Sequence, residues 1–287
     1  MRESLQENRR KADMKEKQEN RVTKIVLIGI SLIFLTVLLI LPLLVIVREA
    51  MRGGWEAYTK AITDEYTLKA FFLTLKATGA AVAVNTLFGV FAAWAVTKYH
   101  FRGKKFVTTL IDIPFAISPV IAGLVLSMTF GRIGWAYPLL QTADIKIVFA
   151  IPGIILATIF VTFPFISREL IPVLNAQGTD EEEAAALMGA GGFTIFRKIT
   201  FPHIKWALLY GIILCTARAV GEFGAVSVIS GHLRGKTNTL PLHVEILYNE
   251  FKFSQAFAVS TILVLLAVVI LILRNLVEYK GKKGGGR

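Results

Sequence analysis

Residues Ile25–Val47 run for 23 positions without one charged side chain. About 20 such residues cross the hydrocarbon of a bilayer as a helix, and a globular core seldom holds so long an apolar run. The rest of the 287-residue chain follows suit: 54% is hydrophobic and 18% is charged, against roughly 25% charged in soluble domains. The chain therefore reads as an all-α, polytopic membrane protein. Spans are predicted at 25–47, 70–97, 107–130, 147–170, 204–230 and 255–277. They lie between a basic tail (1–24) and a C-terminal tail (279–287), giving a six-span domain over 25–278. The second span is longer than a bilayer needs, so it starts outside the hydrocarbon or tilts.

An even number of spans puts both termini on one side, and the Lys and Arg residues choose that side. The first 24 residues carry eight of them, Lys98–Lys105 four, Arg168–Lys205 four and Arg274–Arg287 five, together 21 of the 32 in the chain. These segments are expected in the cytoplasm. The net charge of +12 thus reads as topology rather than as a nucleic-acid surface. A single cysteine, Cys215, excludes an intrachain disulfide and reads as a small buried hydrophobe. Pro42, Pro114, Pro119, Pro152 and Pro164 interrupt the spans, which suits a bundle around a pathway better than a simple anchor.

The predicted cytoplasmic segment Glu181–Ile204 carries the strongest local signal. Thr179 and Glu182 have the spacing of a capping box, and Glu181–Glu183 place negative charge in the first helical turn. Ala184–Met188 are strong helix formers, and Gly189 can end the helix in a left-handed conformation. Ala184, Leu187 and Met188 fall on one face. A second short turn is expected around Phe193–Ile199, with Pro202 opening the fifth span. Physics alone leaves open whether this helix–turn–helix is an amphipathic connector or a docking element.

Glu183-Ala184-Ala185, Gly189, Ile199 and Pro202 match the EAA loop (EAA-x3-G-x9-I-x-L-P) of binding-protein-dependent ABC importer permeases, with Phe201 replacing the Leu. Asp112–Val125, Phe160–Leu170 and Arg218–Gly231 resemble the sulfate/molybdate branch of that family. Gly231–Leu242 is most similar to the W-type subunits of sulfate/thiosulfate importers. The resemblance implies a type I ABC importer permease fold whose EAA loop (179–203) docks on a cytoplasmic ATPase. Glu183 would make polar contacts there, Ala184 and Ala185 would allow close approach, and Gly189 would permit the turn. It further implies a homologous T-type permease subunit, two copies of the ATPase holding ATP and Mg, and an extracytoplasmic sulfate-binding protein. No cofactor, metal or catalytic residue is expected on this chain, and the cell (inner) membrane is its expected location.

Within the spans, Arg218 and Glu222 are four residues apart on one helix face. They read either as a mutually neutralising pair or as a place where Arg218 touches an oxyanion, since a guanidinium matches paired oxygens. Ser118 and Ser127 offer hydroxyls to an anion or pack helices. Lys76 snorkels or attracts anions. Gly231–Thr237 has one residue too few for a phosphate-binding loop. Its Arg234 and Lys236 are better suited to meeting the binding protein or guiding an anion. The alternatives to a sulfate permease are a homodimeric molybdate or tungstate permease, an ion-gradient carrier, and a membrane protein that only recruits cytosolic partners.

Overall fold

The computed structural model describes residues 23–284. The expected basic tail up to residue 22 and the last three residues of the C-terminal tail lie outside the described residues. Every regular element described is helical. Five helices are long and apolar enough to span a bilayer, and a bent pair would supply a sixth crossing.

The first is α1, Thr23–Ala50, whose apolar side chains from Ile25 to Val47 are largely exposed. Its C-terminal end is anchored: Ser254 donates to the Glu49 carbonyl at 3.3 Å, and Ala50 is buried. A five-residue π turn, Thr36–Ile40, interrupts α1 and precedes Pro42. Proline lacks an N–H and its ring collides with the carbonyl four residues back, so widening the turn relieves the clash. A short α2, Gly54–Thr63, follows.

Helix α3, Glu65–Lys98, has 34 residues, about 51 Å at 1.5 Å per residue, so it extends past a 30 Å hydrocarbon layer. Asp64 caps it by accepting from the Tyr66 and Thr67 amides. Its buried face is mostly small: Ala70, Ala77, Ala81, Gly89 and Ala93. Small residues let helix backbones approach closely where no hydrophobic force drives them together. A Cβ on Gly89 would sit 3.0 Å from the Ile166 side chain.

The third predicted span, 107–130, is corrected by the structure. Helices α4 (Lys104–Ala116) and α5 (Pro119–Phe130) meet at 108°. Pro119 drives the preceding residue out of the helical region, and Ile117 and Ser118 are both extended. After a short α6, Tyr137–Thr142, α7 (Ile151–Thr162) and α8 (Pro164–Gln177) run on as one span of 27 residues.

Helix α9, Asp180–Leu187, precedes α10, Gly192–Val220. The predicted separate turn at Phe193–Ile199 is therefore the first part of α10, and it holds a second π turn, Phe196–Thr200, just before Pro202. The predicted span 204–230 is also corrected: α10 stops at Val220 and the chain resumes as α11, Gly224–Ser230. Helix α12, Leu240–Asn249, and the long α13, Phe253–Gly284, complete the fold. The last helix extends past the expected end of the sixth span at 277.

Buried polar groups tie the bundle together. Asn85 on α3 donates to Thr162 Oγ1 at 2.8 Å and to the Ile159 carbonyl at 3.2 Å. Cys215 of α10, fully buried, contacts the same group. A buried amide left without partners would be costly in this setting.

Candidate functional site: the 179–203 loop and the two broken helices

The loop is built as a rigid, protruding turn. Helix α9 ends in a Schellman motif: the Ala190 amide donates to the Ala185 carbonyl at 3.0 Å and the Gly189 amide to Ala186 at 2.9 Å. Gly189 takes the predicted left-handed conformation, with φ of 84°. Asp180 and Glu181–Glu183 occupy the first turn. Leu187 and Met188 are 90% and 83% exposed and Phe193 is 76% exposed, so the tip offers apolar groups to its surroundings. Glu183 and Ala184 are exposed beside them. Ala185 is buried against its own chain.

The capping box is not formed. Thr179, at φ −120° and ψ −8°, does not cap α9 with its side chain. Glu182 is instead captured from the bundle side: Lys98 Nζ lies 3.0 Å from its Oε1, and Thr200 donates to the same oxygen at 2.6 Å. Charged and buried partners outcompete a bond to an exposed backbone N–H. Lys98 also donates to the Gly178 carbonyl at 2.5 Å, and His203 Nε2 lies 3.0 Å from Glu181 Oε2. Ile199 is half-buried in the π turn and Pro202 is exposed behind it. The sequence signal never reached Lys98 or Thr200, because the first had counted only as one charge in a basic turn.

A second constellation lies where two helices are broken. Beyond the breaks, α5 and α11 cross almost backbone to backbone. A Cβ on Gly123 would come within 2.4 Å of the Ala225 carbonyl oxygen, and one on Gly224 within 3.1 Å of Pro119. The break at Ile117–Ser118 therefore adjoins the break at Gly221–Phe223. Ser118 is exposed there and does not cap α5. Arg218 Nη1 stands 2.6 Å from Glu222 Oε2, while Glu222 Oε1 accepts from the Ala225 amide at 2.9 Å. So the structure brings Ser118, Arg218 and Glu222 to one crossing.

Lys76 is exposed on α3 and joins neither constellation. Ser127 Oγ is buried without a hydrogen-bond partner and borders a cleft of about 880 Å³ with Arg132, Tyr137 and Lys146. At the other predicted loop, Arg234 pairs with Glu250, which Lys252 also approaches at 3.0 Å. These two cations hold the Glu250 carboxyl down to about 2.

This arrangement of helices defines a class. Over 94% of this chain and 96% of the other, it superposes with a TM-score of 0.75 and 16% identity on a subunit from the crystal structure of a bacterial alginate ABC transporter in complex with alginate pentasaccharide-bound periplasmic protein. The fold is that of an ABC importer permease. Residues 85–280 match the model for the binding-protein-dependent transport system inner membrane component, and the chain belongs to that family. It is 45% identical over 262 residues to the sulfate transport system permease protein CysW of Synechococcus elongatus, covering 91% of this chain and 92% of that one. It is 43% identical over 254 residues to CysW of Escherichia coli K12, covering 88% and 87%. The CysT permease of Salmonella typhimurium matches at 34% over 251 residues, covering 88% and 91%. The protein is thus a multi-pass inner-membrane permease.

Proposed function

We propose that the chain is the transmembrane permease subunit of an ATP-driven importer that carries sulfate, with thiosulfate, into the cell. The observation that carries the substrate is the 43–45% identity to permeases named for sulfate transport, over about nine-tenths of the chain. A homologous T-type subunit supplies the other half of the pathway, a reading supported by the likeness to CysT. The 179–203 loop faces the cytoplasm and docks on the ATPase, which alone holds ATP and Mg. The exposed tip of Leu187, Met188 and Phe193 on a hydrogen-bonded base supports that role, because apolar groups displayed on a rigid turn are what a partner cleft takes up. An extracytoplasmic binding protein delivers the anion, and both termini lie in the cytoplasm.

The pathway runs past the adjoining breaks. A dianion crossing low-dielectric surroundings needs donors at membrane depth. Arg218 keeps a third of its side chain exposed after pairing with Glu222, which leaves several guanidinium N–H groups for an oxyanion. Ser118, exposed at the adjoining break, adds a hydroxyl.

The test is uptake of labelled sulfate by cells lacking their own importer, with this chain and its cognate partners expressed. ATP-dependent uptake that requires the chain and resists excess molybdate is expected. Labelled molybdate entering while sulfate does not would overturn the substrate. Uptake that persists without the ATPase and fails on collapse of the ion gradient would overturn the mechanism.

A further inference from the structure

We infer that Lys98 is a positioning residue that welds the 180–187 helix to the end of α3 and the start of α10, so that these three segments move as one lever. The inference rests on the docking role proposed for the loop, and adds where the force goes. The Lys98 side chain is only 7% exposed and that of Glu182 16%, unusual for a lysine near a helix end, where it ordinarily reaches solvent. The ammonium reaches Gly178 at the start of the loop and Glu182 on α9. Through the shared Glu182 oxygen it also connects to Thr200, which is 1% exposed in the π turn of α10.

Aromatic rings join the same elements. Trp94 of α3 lies 5.6 Å from Phe196, centroid to centroid, and Phe196 lies 6.3 Å from Phe201. Helical geometry then separates two faces of α9. Glu182 and Ala185, three apart, face the bundle; Glu183 and Leu187, four apart, face away. A displacement imposed on the outer face passes to the bundle through two fixed points, because the Schellman bonds close the end of α9 at Gly189 and Glu182 is pinned at the inner face. Removing the lysine leaves a nearly buried carboxylate without its counter-charge, and this frees the inner face.

The experiment uses the complete complex in proteoliposomes: both permeases, the ATPase and the binding protein. Lys98→Met is expected to retain ATPase co-purification and hydrolysis while labelled sulfate delivered per ATP falls about tenfold, within the range that coupling residues reach. Lys98→Glu combined with Glu182→Lys is expected to recover much of that ratio, which a lesion of folding alone would not. Thr200→Val, which removes only a neutral donor, should lower the ratio less. An unchanged ratio in Lys98→Met overturns the inference. If that variant does not assemble, an unchanged ratio in Thr200→Val overturns it. Leu187→Asp is run in parallel: if ATPase association survives that change, the docking role fails and the lever with it. Loss of association there beside normal coupling in Lys98→Met refutes the lever alone.

Discussion

Arg218 Nη1 and Glu222 Oε2 are 2.6 Å apart, yet the two side chains differ sharply in exposure, 33% for the arginine and 1% for the glutamate. The carboxylate is therefore the member that depends on the pair. Its other oxygen caps α11 through the Ala225 amide, so the charge also holds the break between α10 and α11 in shape. Arg218→Gln strands this carboxylate and should reduce the yield of folded permease. The penalty is expected below the roughly 3–5 kcal/mol of a fully buried pair, because Arg218 is partly solvated. Arg218→Gln with Glu222→Gln removes the stranded charge and should restore assembly in detergent. Uptake by this double variant is expected to stay abolished; normal uptake would show that Arg218 does no more than neutralise Glu222.

Gly123 tests the crossing of the broken helices. A methyl group at this position would press within 2.4 Å of a backbone oxygen of Ala225, and backbone cannot rotate away. Gly123→Ala should lower stability by about 1–3 kcal/mol, the usual effect of overpacking. Gly79 meets nothing within 4 Å, so Gly79→Ala should leave the melting temperature unchanged or slightly raised. Equal effects from both would mean that α5 and α11 do not pack this tightly.

What the sequence could and could not reveal follows from the range of each interaction. The left-handed Gly189 and the acidic first turn of α9 are local, and spacing alone exposed them. Long apolar runs located the long helices. The helix breaks at Ile117–Ser118 and Gly221–Phe223 left no such trace, because hydropathy registers burial in lipid and is blind to direction. Pro119 reads in the sequence as one of five interruptions within spans, whereas the two extended residues before it turn the chain by 108°. The capping box failed for a different reason. Its geometry competes with groups brought in by the fold, and Lys98 and Thr200 have the stronger claim on Glu182.

The pH response of the segment between α11 and α13 has a definite sign. His243 is buried, with Thr67 3.2 Å from Nε2 and Asn238 3.4 Å from Nδ1. Burial lowers its pKa, with Arg234 adding to the effect. An unfolded histidine takes a proton below about 6.5, so stability should fall as pH drops through that value. Glu250 works lower. Its pKa is held to about 2, so its contribution is present above the unfolded value near 4.5 and is lost only as pH falls towards 2. Between pH 7 and 5 the histidine therefore decides. Protease protection of residues 231–239 should weaken over that interval in the parent protein and decline less in His243→Gln, where His232 keeps its Glu245 partner, even if lower throughout. A parallel decline in both would assign the response elsewhere.

The loop tip supplies the most direct test of docking. Glu183 is exposed in the first turn of α9, where a negative charge is worth about 0.3–1 kcal/mol to the helix. Glu183→Lys loses that and inverts the charge offered to the ATPase. At Gly189 the φ of 84° strains any replacement, by roughly 1–2 kcal/mol for most side chains, and Asp also places a charge beside Leu187 and Met188. Gly192 has no close neighbour, so Gly192→Ala is a fair control within the same loop. Co-purification of the ATPase should fall about tenfold or more in Glu183→Lys and Gly189→Asp, as for substitutions at an interface hot spot, and remain normal in Gly192→Ala. Retained association and transport in both charged variants would remove the loop from the docking surface.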